Sequence, residues 1–270
     1  MDTILYQNKK IQYRVSGEGS PVVLLHGFCE DQKMWDHFIP LLPAAKYITI
    51  DLPGFGNSEI ISNISIEGMA EVVMEVLKIL DIDKTILIGH SMGGYISLAF
   101  AEKFPSALIG LGLFHTHPYE DSALQKDSRN KSIDFLKRNG AAIYAKQLIP
   151  KLFPEGFSKF NNSLLDKLIY RASQFPIEGL INGQQAMRDR PDRSDILANL
   201  NYPVQYIIGK KDITLDEKRL VEQSTLANRS IIHILPNIGH MGMFEAAEET
   251  ANMVGEFIKH CQNYYGQSRI

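Results

Sequence analysis

Residues Gly89-His90-Ser91-Met92-Gly93-Gly94 follow directly on the apolar run Thr85-Ile86-Leu87-Ile88. This is Gly-x-Ser-x-Gly at the end of a strand, the pattern that mounts a nucleophilic serine on a sharp strand-to-helix turn. The context constrains the fold more than the motif does. A strand must stop abruptly, pass through one strained residue and begin a helix, so that Ser91 projects its hydroxyl above a sheet. Gly89 and Gly93 flank the serine because a side chain at either place would crowd the turn. The next segment, Tyr95 to Ala101, is helical in spacing, with Met92, Ile96, Ala99 and Phe100 on one face. A glycine-rich turn carrying a solvent serine would require none of this context.

Strand and helix patterns alternate along the rest of the chain. Lys10 to Val15 alternates like an early antiparallel strand. Val22-Val23-Leu24-Leu25 and Tyr47-Ile48-Thr49-Ile50 are continuous apolar runs of the kind found in buried parallel strands. Ile66 to Leu80 has helical spacing, with Ser65 placed to cap it. Leu108 to Phe114, Val204 to Gly209 and Ile231 to Ile234 read as further strands, and Met243 to Cys261 as a closing amphipathic helix. Strands separated by helices predict an α/β fold: a mostly parallel central sheet covered by helices on both faces.

From about Thr116 to Asn199 the rhythm breaks. Helix-like segments (Ser132 to Arg138, Ala141 to Leu148, Asn162 to Ser173) are punctuated by Pro150, Pro154 and Pro176, with no convincing buried strand. The stretch exceeds what a single crossover helix requires and is read as a helical cap inserted late in the sheet. The expected organisation is therefore a core over 1–115, a cap over 116–199 and the remainder of the core over 200–270.

Composition narrows the function classes. The 270 residues are 44% hydrophobic and 22% charged, which suits one α/β domain with an insertion, and a formal charge of −3 argues against a general nucleic-acid binder. No apolar stretch approaches the roughly 20 residues that cross a bilayer. Met1-Asp2-Thr3-Ile4 does not open a secretory signal. Two distant cysteines, Cys29 and Cys261, offer neither metal site nor disulfide framework. The expectation is a cytoplasmic protein with a small-molecule partner, no membrane and no nucleic acid. Oligomeric state is not readable.

Ligands of open parallel sheets bind beyond the carboxyl ends of the strands. At those ends stand His26-Gly27-Phe28, Asp51, Ser91, Lys210-Lys211-Asp212 and, after the last strand, Gly239-His240. With these motifs on the page, the chain resembles the α/β-hydrolase fold family over nearly its whole length, specifically the capped, cofactor-independent serine hydrolases. The resemblance rests on His26-Gly27-Phe28, Asp51-Leu52-Pro53-Gly54-Phe55-Gly56-Asn57-Ser58, Gly89 to Gly94, Gly209 to Asp212 and Gly239-His240. Met187 to Asp192 also resembles a segment of esterase-like members. The order serine, aspartate, histidine matches that family's known order. The resemblance implies Ser91 as nucleophile, His240 as general base, Asp212 as its acid partner, the Phe28 and Met92 amides as oxyanion hole, and no cofactor.

Each group answers a chemical need. A serine hydroxyl is a poor nucleophile at neutral pH, so an imidazole must take its proton during attack. A buried carboxylate holds that ring in the useful tautomer. Two backbone N–H groups stabilise the oxyanion, each worth about 100- to 1,000-fold in rate. Two other acids compete with Asp212: Asp121, since some relatives carry the acid after the strand following the elbow, and Asp216, further along the same loop.

His115, Tyr119 and Arg188 are candidate substrate contacts, Arg188 for a substrate carboxylate or, alternatively, as a partner of Asp189 or Asp192. His26 and Asp51 read as loop-stabilising residues, His90 as a packed core residue, and Cys29 as a small apolar side chain. His115 and His117 lack the carboxylate spacing of a metal site. A serine at position 91 departs from the dehalogenases and epoxide hydrolases, which are similar in fold but use aspartate there. Esterase is the expected activity. Lactonase, thioesterase, carbon–carbon hydrolase, perhydrolase and the elimination enzyme of menaquinone synthesis share the triad, and a small-molecule receptor of the same fold is the alternative from another class.

Overall fold

The structure, a computed structural model, describes residues 2–214 and 217–267. Eight strands form one sheet: β1 (Asp2–Tyr6), β2 (Lys9–Ser16), β3 (Pro21–Leu25), β4 (Lys46–Ile50), β5 (Thr85–His90), β6 (Leu108–Phe114), β7 (Val204–Gly209) and β8 (Ser230–Leu235). Their spatial order is β1-β2-β4-β3-β5-β6-β7-β8. β2 pairs antiparallel with β1 and β4, and every other pairing is parallel. The central strands β5, β6 and β7 are buried at every residue, as continuous apolar runs covered on both faces must be. At the far edge β8 is only partly buried.

β1 is an addition to the elements expected from sequence. Only Ile4 of its five residues is buried, and it turns into β2 through Gln7 and Asn8, both at positive φ (50° and 60°). That is the two-residue hairpin geometry usually marked by Asn-Gly. Here a Gln-Asn pair adopts it.

The helices α1 (Ile66–Ile79) and α2 (Met92–Lys103) pack against each other beside the sheet. Ser65 caps α1, its Oγ accepting from the Gly68 amide. α2 is buried from Met92 to Ala101, not on one face alone, because it lies between the sheet and α1. Between β6 and β7 the chain passes through α3 (Ala123–Leu148), α4 (Asn162–Ser173), α5 (Ile177–Asp189) and α6 (Ser194–Leu197). Gly140 (φ 79°, ψ 170°) breaks α3 at the boundary between the two helical segments expected there. α5 was not expected.

The chain ends with α7 (Glu217–Gln223), α8 (Gly242–Glu245) and α9 (Ala247–Gln267). The single closing helix read from sequence is interrupted at Ala246 (φ −143°, ψ 58°). Among the described residues no helix is long and apolar enough to cross a membrane.

The sheet order locates the site. From β3 the chain steps to β4 on one side and then returns to β5 on the other. The crevice beyond the carboxyl ends of β3 and β5 is the switch point where such sheets bind ligands. Phe28 follows one of these strands and Ser91 the other.

Candidate active site

Ser91 occupies φ 51°, ψ −115°, between the end of β5 and the start of α2. A non-glycine residue in this region costs about 1–3 kcal/mol and persists only where its surroundings over-determine it. They do so here. A Cβ on Gly89 would strike the Gly93 carbonyl, and one on Gly93 would strike the carbonyls of Leu25 and His26. The Ser91 amide donates to Phe114 O at 3.0 Å, and Thr116 Oγ1 donates to Ser91 O at 2.8 Å. The strand thus closes against the next helix with no room for side chains beside the serine.

His240 follows β8 in a loop that other parts of the chain hold. Its amide donates to Leu152 O at 2.9 Å, and Glu245 accepts from the amides of Gly239 and Met241. The ring is buried, with Nδ1 at 2.6 Å from Asp212 Oδ2 and 3.0 Å from Thr214 Oγ1. Thr214 donates its hydroxyl to Asp212 Oδ1 at 2.6 Å, so its oxygen is left to accept from Nδ1. Burial alone would raise the Asp212 carboxyl, but the charge and hydrogen bond of His240 hold it well below the usual carboxylate range. Burial likewise opposes protonation of His240, and Asp212, then Glu30 and Glu245, outweigh it and raise the imidazole. An ionised carboxylate at Nδ1 fixes the proton there in the neutral ring. The Nε2 lone pair is left free. Thr214 was not anticipated; a hydroxyl two residues beyond the acid was its one signal.

The Phe28 and Met92 amides donate to no protein acceptor among the described residues. The loop carrying Phe28 is tied back by Glu30, whose buried Oε2 accepts from the Gly27 amide at 2.7 Å and lies 3.1 Å from His90 Nδ1. His90 Nε2 donates to the His240 carbonyl at 2.8 Å. Burial would raise the Glu30 carboxyl, but the neighbouring His90 brings it down. His90 is therefore more than a packed core residue. With Glu30 it joins the Phe28 loop, the elbow and the His240 loop, which come from distant parts of the sequence.

Ser91, His240, Phe28 and Thr214 line one cavity of about 260 Å³, which residues of α3 and α5 and Leu152 also line. The other expected site residues fall elsewhere. His115 is fully buried near the His240 ring (centroids 5.9 Å apart) and does not line the cavity, and burial drives its imidazole well below the usual value. Tyr119 does not reach the cavity either. Its carbonyl accepts from Arg190 Nη2, and the Arg219 guanidinium lies 5.2 Å from its ring centroid.

Arg188 turns outward, bonded through Nε and Nη2 to Asp189 and through Nη1 to Asn130. Of its two readings, the partner of Asp189 is the one observed. Asp121 bonds to Arg129 and Arg190, not to His240. Asp216 lies outside the described residues.

The loop residues behave as read. His26 Nε2 accepts from the Leu52 amide, so its Nδ1 donates to Gly27 O. Asp51 accepts from the amides of Gln32 and Asn57. Cys29 is buried, and burial pushes its thiol far up.

Comparison with known proteins agrees with this architecture. The family model for the alpha/beta hydrolase fold matches residues 20–247. The chain is 24% identical to 3-oxoadipate enol-lactonase 1 of Acinetobacter baylyi, covering 95% of this chain and 96% of that one. It is 26% identical to Lipase 3 of a Moraxella species, over 87% and 76% of the two chains. Among solved structures, a thermophilic esterase from Thermogutta terrifontis with malate bound superposes with a TM-score of 0.88 at 28% identity, covering 94% of each chain. The chain belongs to the α/β-hydrolase family. Relatives named lipase, esterase and enol-lactonase make it a hydrolase.

Proposed function

We propose that the chain is a serine esterase of small substrates, with Ser91, His240 and Asp212 as its triad and the helices between β6 and β7 as a cap. The observation carrying this reading is the buried 2.6 Å bond between His240 Nδ1 and Asp212, with His240 and Ser91 on the wall of one cavity. His240 Nε2 takes the Ser91 proton as Oγ bonds to the ester carbonyl carbon. The Phe28 and Met92 amides receive the oxyanion, and Met92 offers its amide from the first turn of α2, where the helix dipole adds to the stabilisation. Collapse breaks the bond to the alcohol, which leaves with the proton held on His240. Water then repeats the sequence on the acyl-serine, and His240 returns the proton to Ser91. Ester hydrolysis needs no further group.

Relatives named lipase and esterase favour an acyl ester, and the enol-lactonase name keeps a cyclic ester within the same chemistry. A cavity of about 260 Å³ beneath helices favours short acyl groups over long chains. Incubation with a fluorophosphonate should label the protein once, on Ser91. Short-acyl nitrophenyl esters should turn over many times per molecule, with efficiency falling as the acyl chain lengthens. Labelling elsewhere refutes the triad, and release of a single equivalent of product would favour a receptor of the same fold.

A further inference from the structure

Arg129, on α3, is the one Lys or Arg lining the cavity over Ser91 among the described residues. Its side chain is three-quarters buried and its orientation is set: Nε donates to Asp121 Oδ2 at 2.9 Å and Nη1 to Gln184 Oε1 at 3.3 Å. Gln184 is itself held by Tyr144, whose hydroxyl oxygen accepts from Nε2 at 2.8 Å. A guanidinium carries five N–H donors, and those on Nη2 meet no acceptor among the described residues.

The charge around Arg129 is unbalanced. Asp121 also receives Arg190 Nη1 at 2.7 Å, so one carboxylate answers two guanidinium groups. Arg190 is fully buried, its Nη groups on the carbonyls of Met187 and Tyr119, its Nε without a partner and its guanidinium 3.8 Å from the centroid of Tyr95. Of the two guanidinium groups, Arg129 is the one that lines the cavity. The same lining carries Glu30, paired with His90, and, behind His240, the ionised Asp212. An anion in the cavity is attracted to Arg129.

We infer that the preferred substrate is a small ester that also bears a carboxylate, bound by Arg129 with its ester at Ser91. The inference rests on the esterase reading and narrows its substrate class. Arg129 gives the substrate one favoured direction, with the anionic end under α3 and the neutral ester at the Phe28 and Met92 amides. Gln125, Ser128 and Ser132 add polar groups around Arg129 for the same end.

Two pairs of esters matched in length test this. The 4-nitrophenyl monoester of adipate and 4-nitrophenyl hexanoate differ at the acyl end; 4-carboxybutyl acetate and pentyl acetate differ at the alcohol end. In at least one pair kcat/KM should favour the charged member by about tenfold or more, the scale of a hydrogen bond to a charged group. Arg129→Met should remove that preference, and Arg129→Lys should restore part of it. The parent's ratios need no variant, so they stand even if a substitution harms folding. No preference in either pair, or a preference that survives Arg129→Met, overturns the inference. No turnover of any of the four while Ser91 is still labelled by the fluorophosphonate also overturns it. Absence of both labelling and turnover would instead sink the esterase reading beneath it.

Discussion

The sheet edge and the helices above it face the same cavity, but they position their side chains by different means. At the edge, Ser91, Phe28, Asp212 and His240 each stand within a few residues of a strand end, and their loops are held by backbone hydrogen bonds together with side chains that bond to the backbone, such as Glu30 and Glu245. Above, Arg129, Gln184 and Tyr144 project from helix faces and are fixed by one another's side chains. The regions join at several places, among them the Leu152 carbonyl that receives the His240 amide, Pro154, which would meet a Cβ on Gly239, and the Arg171–Asp31 and Arg193–Glu67 ion pairs, none of which uses the side chain of Ser91, His240, Asp212 or Arg129. Chemistry assigned to the edge and selectivity assigned to the helices should therefore separate under mutation.

The largest effect belongs to the edge. Ser91→Ala should lower kcat by about 10⁶-fold, the scale of removing the nucleophile from a triad. The unfolding midpoint should stay within about a few degrees, since the change removes only a side-chain oxygen from a preformed turn. Near-parental turnover, or labelling that persists in the variant, would break the assignment.

Asp212→Asn and Asp121→Asn set the two regions against each other directly. The first should cost about 10⁴-fold in kcat, because a neutral amide at Nδ1 permits the wrong tautomer. The second leaves Arg190 buried without its carboxylate, a loss of about 3–5 kcal/mol of stability. Its kcat on a neutral ester should fall less than about tenfold at a temperature where it remains folded. Denaturant melts and steady-state rates on both variants decide the matter. A reversed ranking would make Asp121 the acid and remove the distinction between edge and helices.

Glu30→Gln probes what joins the loops of the edge. Glutamine keeps the size but places an amide where Oε2 accepts from Gly27 and faces His90. If the clasp aligns the Phe28 amide with Ser91 and His240, kcat should drop by roughly 10- to 100-fold with KM almost unchanged, as expected from small misplacement. A purely structural role would lower the unfolding midpoint and leave the kcat of the folded fraction intact.

The difference between the regions also explains what could be read from sequence. Continuous apolar runs disclosed β3 to β7, and the groups beyond their ends were legible because strand ends in a parallel sheet converge on one edge. β1 was not, since it buries a single residue and turns through a pair that carries no strong turn signal. α5 was hidden by its own composition: Gly179 and Gly183 are poor helix formers. The structure supplies the reason for them, because a Cβ on Gly179 would meet the Gly54 carbonyl and one on Gly183 the rings of Phe28 and Phe55. The helix needs Gly179 to approach the Gly54 loop, and Gly183 lets it lie close to Phe28 and Phe55. Arg188 illustrates the limit for the upper region. Its place near the return to the sheet suggested contact with substrate, but its helix face turns toward Asn130, and Arg129 holds the position at the cavity. Which residue of a helix looks inward depends on packing angles that no local pattern states.

The smallest predicted effect is in pH dependence, and its sign follows from His240. With His240 as the proposed base, catalysis needs the neutral ring, so kcat/KM should rise with pH along a single ionisation. Burial favours the neutral form, but Asp212 at Nδ1, then Glu30 and Glu245, favour the charged form more, and the net direction is upward. The midpoint should therefore lie above the roughly 6.5 of a free imidazole. Stability should run the other way. A histidine raised in the folded state contributes fully below its unfolded value and loses that contribution as pH climbs through the folded one. Activity should thus be gained over the same window in which the His240–Asp212 pair gives up its share of the folding free energy. Glu30→Gln removes one of the charges that raise the ring and should move the kinetic midpoint down, whereas Arg129→Met, outside the groups acting on His240, should leave it in place. A midpoint below that of free imidazole, or a shift with Arg129→Met as large as with Glu30→Gln, would show that the edge is not electrostatically independent of the helices above it.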